Sequence, residues 1–183
     1  MERFREGDQD AFRILFVNYK QKIINYCYRF CGHREIAEEL AQEVFLRVYK
    51  AAPRYRPDAR FSTWIFRIAT NICLNELRKK KYRCKIESLD DSFHSGTGAG
   101  SGEIEDRGTP APQDRLEDRE RDQMIQGAIS NLPEKQRAAL LLRLHYGFSY
   151  REIGKQIKAS ESSVKSLIHR GRQNLKKVLG TRL

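Results

Sequence analysis

Apolar side chains recur at three- and four-residue spacing along most of this chain, and that period constrains its fold more than any other feature. Between residues 8 and 31 they form one stripe, which predicts a first helix that Gly32 ends. A second stripe begins near Glu35 and runs to Val48, with acidic side chains on the opposite face. These stretches predict amphipathic helices of an all-α domain.

A third helical stretch begins with the apolar stripe at Phe61, and Ser62 is its predicted N-cap. Pro53–Asp58 separate it from the second helix, because two prolines forbid a continuous helix. The stretch runs out through a cluster of bases that ends at Arg83. The sequence therefore predicts an N-terminal helical domain over residues 1–83.

The C-terminal part contains the signals of a helix-turn-helix. Pro133 is expected at the first position of a helix that Gly147 stops. Ser149 and Glu152 have the spacing of a capping box, in which each side chain binds the backbone N–H of the other residue. Ser160 is expected to cap a last helix after a three-residue turn. Two helices joined by so short a turn predict a helix-turn-helix.

Charge falls into three blocks along the 183 residues. Residues 1–83 hold 18 basic and 10 acidic side chains, residues 84–122 hold 5 and 11, and residues 123–183 hold 12 and 3, which gives +8, −6 and +9. The basic blocks favour a polyanionic partner such as nucleic acid. Glycines mixed with Ser, Thr, Pro and acids predict a flexible acidic linker over residues 84–115. We therefore expect two small helical domains, the second over residues 116–183.

Several classes of protein are disfavoured. No apolar run approaches the ~20 residues that cross a bilayer, and the polar N-terminus is unlike a secretory signal, so we expect a cytoplasmic protein. We recognise no phosphate-binding glycine loop, catalytic triad or metal cluster, so we expect no enzyme and no cofactor. Cys27 and Cys31 with His33 could supply three zinc ligands but no fourth, so buried free thiols are the preferred interpretation of Cys27, Cys31, Cys73 and Cys84.

The last helix has a polar, basic outer face suited to DNA. Its small hydroxyls lie at the N-terminus, where the helix dipole favours a phosphate. If the helix enters the major groove, Lys165, His169 and Arg170 reach base edges. A solvated basic face is the alternative interpretation. The predicted DNA-contacting residues are Ser162, Ser163, Lys165, Ser166, His169, Arg170 and Arg172.

A second candidate site lies on the third helix, where Asn71 and Asn75 are one turn apart beside the basic cluster. Amides can hydrogen-bond the edges of unpaired bases. Trp64 could stack on such a base, but it falls in the apolar stripe and we expect it in the core. On the second helix, the acidic face predicts either a solvated surface or, preferably, a docking site for a basic protein groove.

Taken together, these segments resemble a bacterial sigma-70 family member of the extracytoplasmic-function type. Four segments carry the resemblance in order: residues 10–19 (DAFRILFVNY), residues 37–45 (AEELAQEVF), residues 61–71 (FSTWIFRIATN), and Leu132-Pro133 with the helix-turn-helix.

The resemblance implies a two-domain initiation factor that gives RNA polymerase promoter specificity and helps to open DNA. It implies contacts to the β′ clamp and the β subunit of core polymerase, a monomer within the holoenzyme, and an anti-sigma factor as a further partner. Docking on the clamp would use Glu39, Gln42, Glu43 and Phe45. The −10 element would be bound by Arg56, Asp58, Arg60, Asn71, Asn75, Arg78, Lys79 and Lys80. The last helix would read the duplex −35 element.

Three positions depart from the family pattern. Glu39 replaces the usual aspartate, Lys158 replaces the common glycine of the turn, and Leu167 stands where a basic residue is frequent, so we assign no −35 sequence. The alternative is a stand-alone helix-turn-helix regulator that binds duplex DNA without polymerase. It leaves the acidic face and the two asparagines without a role. An adaptor that binds only proteins leaves the basic blocks unexplained.

Overall fold

The computed structural model describes residues 1–57, 59–90 and 112–180, with side chains described for all of these except 83–90 and 112–120. The described residues form α-helices with one short 3-10 helix at Ala52–Arg54, and no strand is found among them. The predicted all-α class is therefore confirmed. The helices are α1 (Glu2–Arg5), α2 (Gln9–Cys31), α3 (Arg34–Ala51), α4 (Phe61–Asp90), α5 (Pro112–Ser130), α6 (Glu134–Leu144), α7 (Tyr150–Ile157) and α8 (Glu161–Gly180).

The ends of α2 follow from local chemistry. The side chain of Asp8 accepts a hydrogen bond from the Ala11 N–H at 3.1 Å and caps the first turn. Gly32 ends the helix in the left-handed conformation, with φ of 82°, which costs glycine little because it has no Cβ. The predicted first helix is confirmed.

Helices α2, α3 and α4 pack around one apolar core. Ile23, Tyr26 and Phe30 of α2 are fully buried, as are Val44 and Val48 of α3. These positions recur every three or four residues, so the predicted stripes are the faces that the helices bury.

Helix α4 differs from its prediction at both ends. The Trp64 N–H binds the Arg60 carbonyl at 3.2 Å, so the helix begins before Ser62, and the predicted N-cap role of Ser62 is wrong. At the other end α4 continues to Asp90, and α5 begins at Pro112, so both ends of the predicted linker are helical. The remainder of that linker, residues 91–111, lies outside the described residues.

Three caps organise helices α6 to α8. The Glu152 N–H binds Ser149 Oγ at 3.2 Å and the Ser149 N–H binds the Glu152 carboxylate at 2.9 Å, which confirms the capping box. Ser160 Oγ accepts from the Ser163 N–H at 3.2 Å, as predicted for α8. Pro133 is the N-cap of α6, one position before the first helical residue at which it was predicted.

The turn between α7 and α8 is tight and strained. Lys158 ends α7 with φ of 53°, in the left-handed region that disfavours residues with a Cβ. In the middle of α7, a Cβ added to Gly154 would lie 2.5 Å from the Ala159 carbonyl oxygen, so only glycine lets the returning chain approach. The two helices therefore form the predicted helix-turn-helix.

The N-terminal unit (α1–α4) and the C-terminal unit (α5–α8) pack against each other and share one continuous apolar core. Side chains of the C-terminal unit cap the end of α2. Gln126 donates to the carbonyls of Tyr28 and Arg29 at 3.1 and 3.2 Å, and the Arg137 guanidinium donates to the Phe30 carbonyl. The Tyr28 carbonyl also accepts from the Gly32 N–H at 2.8 Å. The last carbonyls of a helix lack N–H partners within it, so these side chains supply hydrogen bonds that the last turn of α2 needs.

A polar network also joins the two units. Thr70 of α4 lies 2.8 Å from the Tyr26 hydroxyl and 3.3 Å from Gln156 Oε1 of α7, and it is completely buried. The Tyr146 hydroxyl donates to the Lys22 carbonyl at 3.2 Å, and burial raises its pKa to about 12. Hydrogen bonds between buried groups specify the arrangement of the units more narrowly than apolar packing does, and Gln156 Nε2 is the atom of this network that is buried without a partner.

Candidate nucleic-acid and protein interfaces

Helix α8 presents the face predicted to contact DNA. Val164, Ile168 and Gly171 are buried and hold the helix on the rest of the C-terminal unit. The predicted DNA-contacting side chains lie beside these buried residues and are all exposed: Ser162, Ser163, Lys165, Ser166, His169, Arg170 and Arg172. Lys165 Nζ stands 5.7 Å from the Tyr150 ring centroid, a position that orients its cation at the edge of this face. The N-terminus of α8 therefore carries exposed hydroxyl groups, and basic side chains follow them along the helix.

On α4, Asn71 and Asn75 are exposed one turn apart, while the residues between them, Ile72, Cys73 and Leu74, are buried. The helix is therefore anchored at this point, and both amides face outward from a rigid segment.

The basic cluster continues the same helix. Arg78, Lys79 and Lys80 are exposed. Arg78 lies 3.8 Å from Glu134 of the C-terminal unit, and Lys79 lies 3.9 Å from Glu76. Exposed ion pairs of this length contribute little stability, so both cations remain available to a phosphate.

The segment between α3 and α4 lies beside this helix. Arg56 and Arg60 are exposed there, and the predicted site residue Asp58 lies outside the described residues. Trp64 is partly buried and packs edge-on against Tyr55, with ring centroids 5.0 Å apart. The tryptophan thus belongs to the edge of the core and also reaches the surface.

A cleft of ≈ 340 Å³ opens between the two units at this segment. Its wall includes three cations that the sequence reasoning did not single out, Arg54, Arg67 and Lys155. Arg67 follows Arg60 by seven residues, two helical turns, and that spacing was the available signal. Lys155 had no such signal, because it reaches the cleft only through the packing of α7 on α4.

Among the described residues of the cleft wall, Glu152 is the acidic one. Its carboxylate accepts from the Thr63 hydroxyl of α4 at 3.0 Å. Hydrogen bonds from Ser149 lower the pKa of this carboxyl, and the Arg60 cation contributes in the same direction. In this packing the negatively charged Glu152 of the helix-turn-helix lies among basic side chains of the N-terminal unit.

The acidic face of α3 divides into exposed and paired positions. Glu39 and Gln42 are exposed. Glu43 is held by Arg47 at 2.6 Å. Phe45 is not part of this face: it is only 6% exposed, and its ring packs on Phe16 with centroids 4.7 Å apart. The ring is thus buried in this packing, and the contact of Phe45 with polymerase stays a prediction.

Three of the four cysteines have described side chains, and all three are free thiols. Cys27 and Cys73 are buried and Cys31 is partly exposed. The part of the chain that the structure describes contains no group of side chains arranged to hold a metal ion. Its helices include none that is both long and apolar enough to cross a membrane.

An all-α chain with a helix-turn-helix and a second, amide-bearing helix beside a basic cluster defines a class of DNA-binding transcription proteins. Comparison with known proteins narrows the class. Residues 15–83 match the family Sigma-70 region 2, and residues 122–175 match Sigma-70, region 4. This chain belongs to the sigma-70 family and is an RNA polymerase sigma factor of the extracytoplasmic-function group.

Two relatives that align with this chain over most of their length agree with this family assignment. The ECF RNA polymerase sigma factor SigW of Bacillus subtilis is 35% identical over 179 residues, covering 98% of this chain and 94% of SigW. The ECF RNA polymerase sigma-E factor of Escherichia coli is 31% identical over 177 residues, covering 94% and 88%.

Two solved structures share the fold. CnrH, in complex with the cytosolic domain of CnrY, matches with a TM-score of 0.67 at 20% identity over 97% of this chain and 92% of that one. RpoE, in complex with the anti-sigma factor NepR from Bartonella quintana, matches with a TM-score of 0.68 at 19% identity over 93% and 97%.

Proposed function

We propose that this sigma factor reads a two-part promoter, with residues 1–83 binding the −10 element and residues 116–183 binding the −35 element. Residues 84–115 would connect the two domains. The observation that carries this proposal is the pair of exposed faces, Asn71 with Asn75 on α4 and the polar side of α8. Each face is anchored by buried neighbouring residues, and each lies beside basic side chains.

The −10 site would capture unpaired bases. Asn71 and Asn75 would hydrogen-bond the base edges, and Arg56, Arg60, Arg78, Lys79 and Lys80 would bind the phosphates of the separated strand. The adjacent cleft offers Trp64 as one aromatic wall and Arg67 as a further cation. Asp58 remains a predicted member of this site.

The −35 site would read duplex DNA in the major groove. Lys165, Ser166, His169 and Arg170 project from the exposed side of α8 and would meet base edges. Ser162 and Ser163 in the first turn, and Arg172 further along, would bind phosphates and fix the register of the helix.

Docking on the β′ clamp of core polymerase is assigned to Glu39, Gln42 and Glu43 on α3, with further contacts to the β subunit. The carboxylates would face basic groups of the clamp. Phe45 stays a predicted member of this docking site, and its ring also fixes α3 on α2 through Phe16. The protein acts as a monomer within the holoenzyme, in the cytoplasm, and contributes no catalytic group of its own.

Promoter binding requires the two units to separate. The names −35 and −10 imply centres ~25 base pairs apart, or roughly 85 Å of duplex at 3.4 Å per base pair. A compact chain of this length has a radius of gyration of roughly 16 Å. The packed arrangement is therefore a resting form, and an anti-sigma factor is the partner expected to maintain it. Two of the similar folds were solved with such a partner or with a cytosolic domain bound.

A reconstitution with bacterial core RNA polymerase tests the docking face. Glu39→Lys should weaken binding of the sigma factor to core enzyme by about tenfold or more, because like charges across an interface cost several kcal/mol. Glu6→Lys, an equal charge reversal at an exposed residue just after α1, is the matched control. Equal affinity of the two variants, measured by fluorescence anisotropy, would remove Glu39 from the docking site.

Transcription from a random promoter library tests the two DNA faces. Transcripts sharing two sequence blocks support two-part reading. Asn75→Ala should reduce open-complex formation, and Arg170→Ala should relax base preference in the upstream block only. Asn18→Ala removes an exposed helical amide outside both faces and should behave as wild type. Binding of duplex DNA with no polymerase-dependent transcription would instead favour the stand-alone regulator.

A further inference from the structure

Three thiols meet where α2 ends against α4. Cys27 and Cys31 are one turn apart on α2, and Cys73 faces them from α4. The Cys73 S–H donates to the Cys27 sulfur at 3.7 Å, and Cys73 is also near enough to Cys31 to shift its pKa. Cys27 and Cys73 have no exposed surface, whereas Cys31 is partly exposed. Cys31 is therefore the member of this thiol cluster that solvent reaches.

The surroundings of Cys31 favour its thiolate. The neighbouring Cys73 thiol and the cations of Arg137 and Lys80 lower the pKa of Cys31, although burial and Glu76 oppose this. Burial raises the pKa of Cys73, which keeps that sulfur protonated as the donor. A partly exposed thiolate beside cations is the kind of cysteine that reacts with oxidants.

Arg137 gives an independent reason to look for chemistry here. The side chain reaches across from α6, is 6% exposed, and donates to the carbonyls of Phe30 and Leu132. Its Nε remains buried without a hydrogen-bond partner. An open donor on a buried cation beside a thiol is a group that a negatively charged or oxygen-bearing sulfur would satisfy.

We propose that Cys31 is a thiol-modification site that a hydroperoxide oxidises, with Cys73 as the resolving thiol that closes a disulfide between α2 and α4. In the first step the Cys31 thiolate attacks a peroxide oxygen. The O–O bond breaks, Cys31 becomes a sulfenic acid, and the peroxide leaves as an alcohol or water after taking up a proton.

In the second step the Cys73 sulfur attacks the Cys31 sulfur. The S–O bond breaks, the S–S bond forms, and the hydroxyl leaves with the Cys73 proton as water. Two thiols lose two electrons and one peroxide gains them. A dithiol reductant returns both cysteines to the starting state.

The position of this bond connects it to the rest of the molecule. Cys73 lies between Asn71 and Asn75 on α4, and Cys31 follows Phe30, whose carbonyl binds Arg137. A Cys31–Cys73 bond would therefore join the −10 helix to the end of α2 at the contact between the two units. The thiol chemistry itself does not depend on the proposed reading of the promoter.

Mass spectrometry of the full-length chain tests the proposal. Reduced protein is treated with one equivalent of hydrogen peroxide, capped with N-ethylmaleimide and digested without reductant. The expected product is a Cys31–Cys73 disulfide, with loss of two of the four thiols in the chain. Cys27→Ala should retain this bond and Cys31→Ser should lack it. No bond, or a bond that excludes Cys31, would overturn the proposal.

Two charge-neutralising variants, at the partly buried Glu76 and the exposed Lys80, test the electrostatic part without changing the thiols. Glu76→Gln should raise the rate of Cys31 oxidation, and Lys80→Gln should lower it, each by about twofold. Opposite signs from two neighbouring neutralisations support activation by the local field. Identical rates in both variants and wild type would overturn it, because accessibility alone would then set the reactivity.

Discussion

Lys158 has a backbone conformation that its side chain disfavours. Its φ of 53° lies in the left-handed region, where a Cβ crowds the following carbonyl and costs roughly 1–2 kcal/mol. The conformation persists because Gly154, Ser160 and the capped start of α8 fix the turn from both sides. The departure from the family pattern, a lysine where the turn commonly has glycine, is the source of this strain.

Replacing this lysine with glycine should stabilise the protein. Lys158→Gly removes the Cβ and is expected to raise the free energy of unfolding by about 0.5–1 kcal/mol, after the larger entropy loss of glycine is subtracted. Urea denaturation measures the change. Lys158→Ala is the control, because it removes the charge but keeps the Cβ. A gain in the alanine variant equal to that in the glycine variant would show that charge, not strain, sets the cost.

At the scale of elements, α8 sits close to α6 because Gly171 faces Leu140. A Cβ at Gly171 would collide with the Leu140 side chain, which is itself 3% exposed and has little room to move. Close approach of the two helices therefore depends on one missing methyl group. The close approach sets the tilt of α8, and therefore the direction in which its exposed polar side faces.

Two glycine-to-alanine changes should shift the free energy of unfolding in opposite directions. Gly171→Ala is expected to lower the free energy of unfolding by about 1–3 kcal/mol through overpacking. Gly127→Ala, on α5 with no atom near the added Cβ, should raise it by about 0.5–1 kcal/mol through helix propensity. Thermal unfolding by circular dichroism compares them. A neutral Gly171→Ala would mean that Leu140 yields without cost.

Most helix ends and the helix faces could be predicted because their causes are local, and the two ends of α4 are the exceptions. Asp8, Gly32, Ser149 and Ser160 each act within four residues of their own position. Phe45 carries two predictions, because the helical period assigned it to the buried stripe and the family resemblance assigned it to the docking face. Its packing against Phe16 confirms the first, and the docking contact stays a prediction.

At the scale of the whole molecule, the contact between the two units could not be predicted from sequence. Gln126 and Arg137 bind backbone carbonyls 97 to 107 residues away, and a carbonyl leaves no mark in the residue pattern. Lys155 and Glu152 reach α4 only because α7 packs on it, and this packing also leaves no mark in the residue pattern. Periodicity identifies which faces are buried, but not which unit covers them.

The contact between the units should weaken in mild acid. Arg29 Nη1 lies 3.2 Å from the His145 Nε2, and burial together with this cation lowers the pKa of His145. The packed form therefore binds fewer protons at His145 than the separated form, in which the pKa returns to about 6.5. By linkage, packing is favoured above that pH and loses stability as the pH falls through it.

Small-angle X-ray scattering checks this expectation. The radius of gyration of the wild type should increase on going from about pH 7.5 to about pH 5.5. His145→Gln should reduce the increase, and His169→Gln, on the exposed face of α8, should leave it unchanged. An equal expansion of the wild type and His145→Gln would assign the pH response to other groups.

The caps on α2 also bear on how the protein is made. The Phe30 carbonyl binds a guanidinium that lies 107 residues later in the chain. At ribosomal speeds of roughly 5–20 residues per second, that partner is synthesised roughly 5–20 seconds after the carbonyl. During this interval the end of α2 is exposed to water, and the half that would bind the −10 element exists without the half that covers it. Each newly made molecule therefore passes through an open form before it first closes.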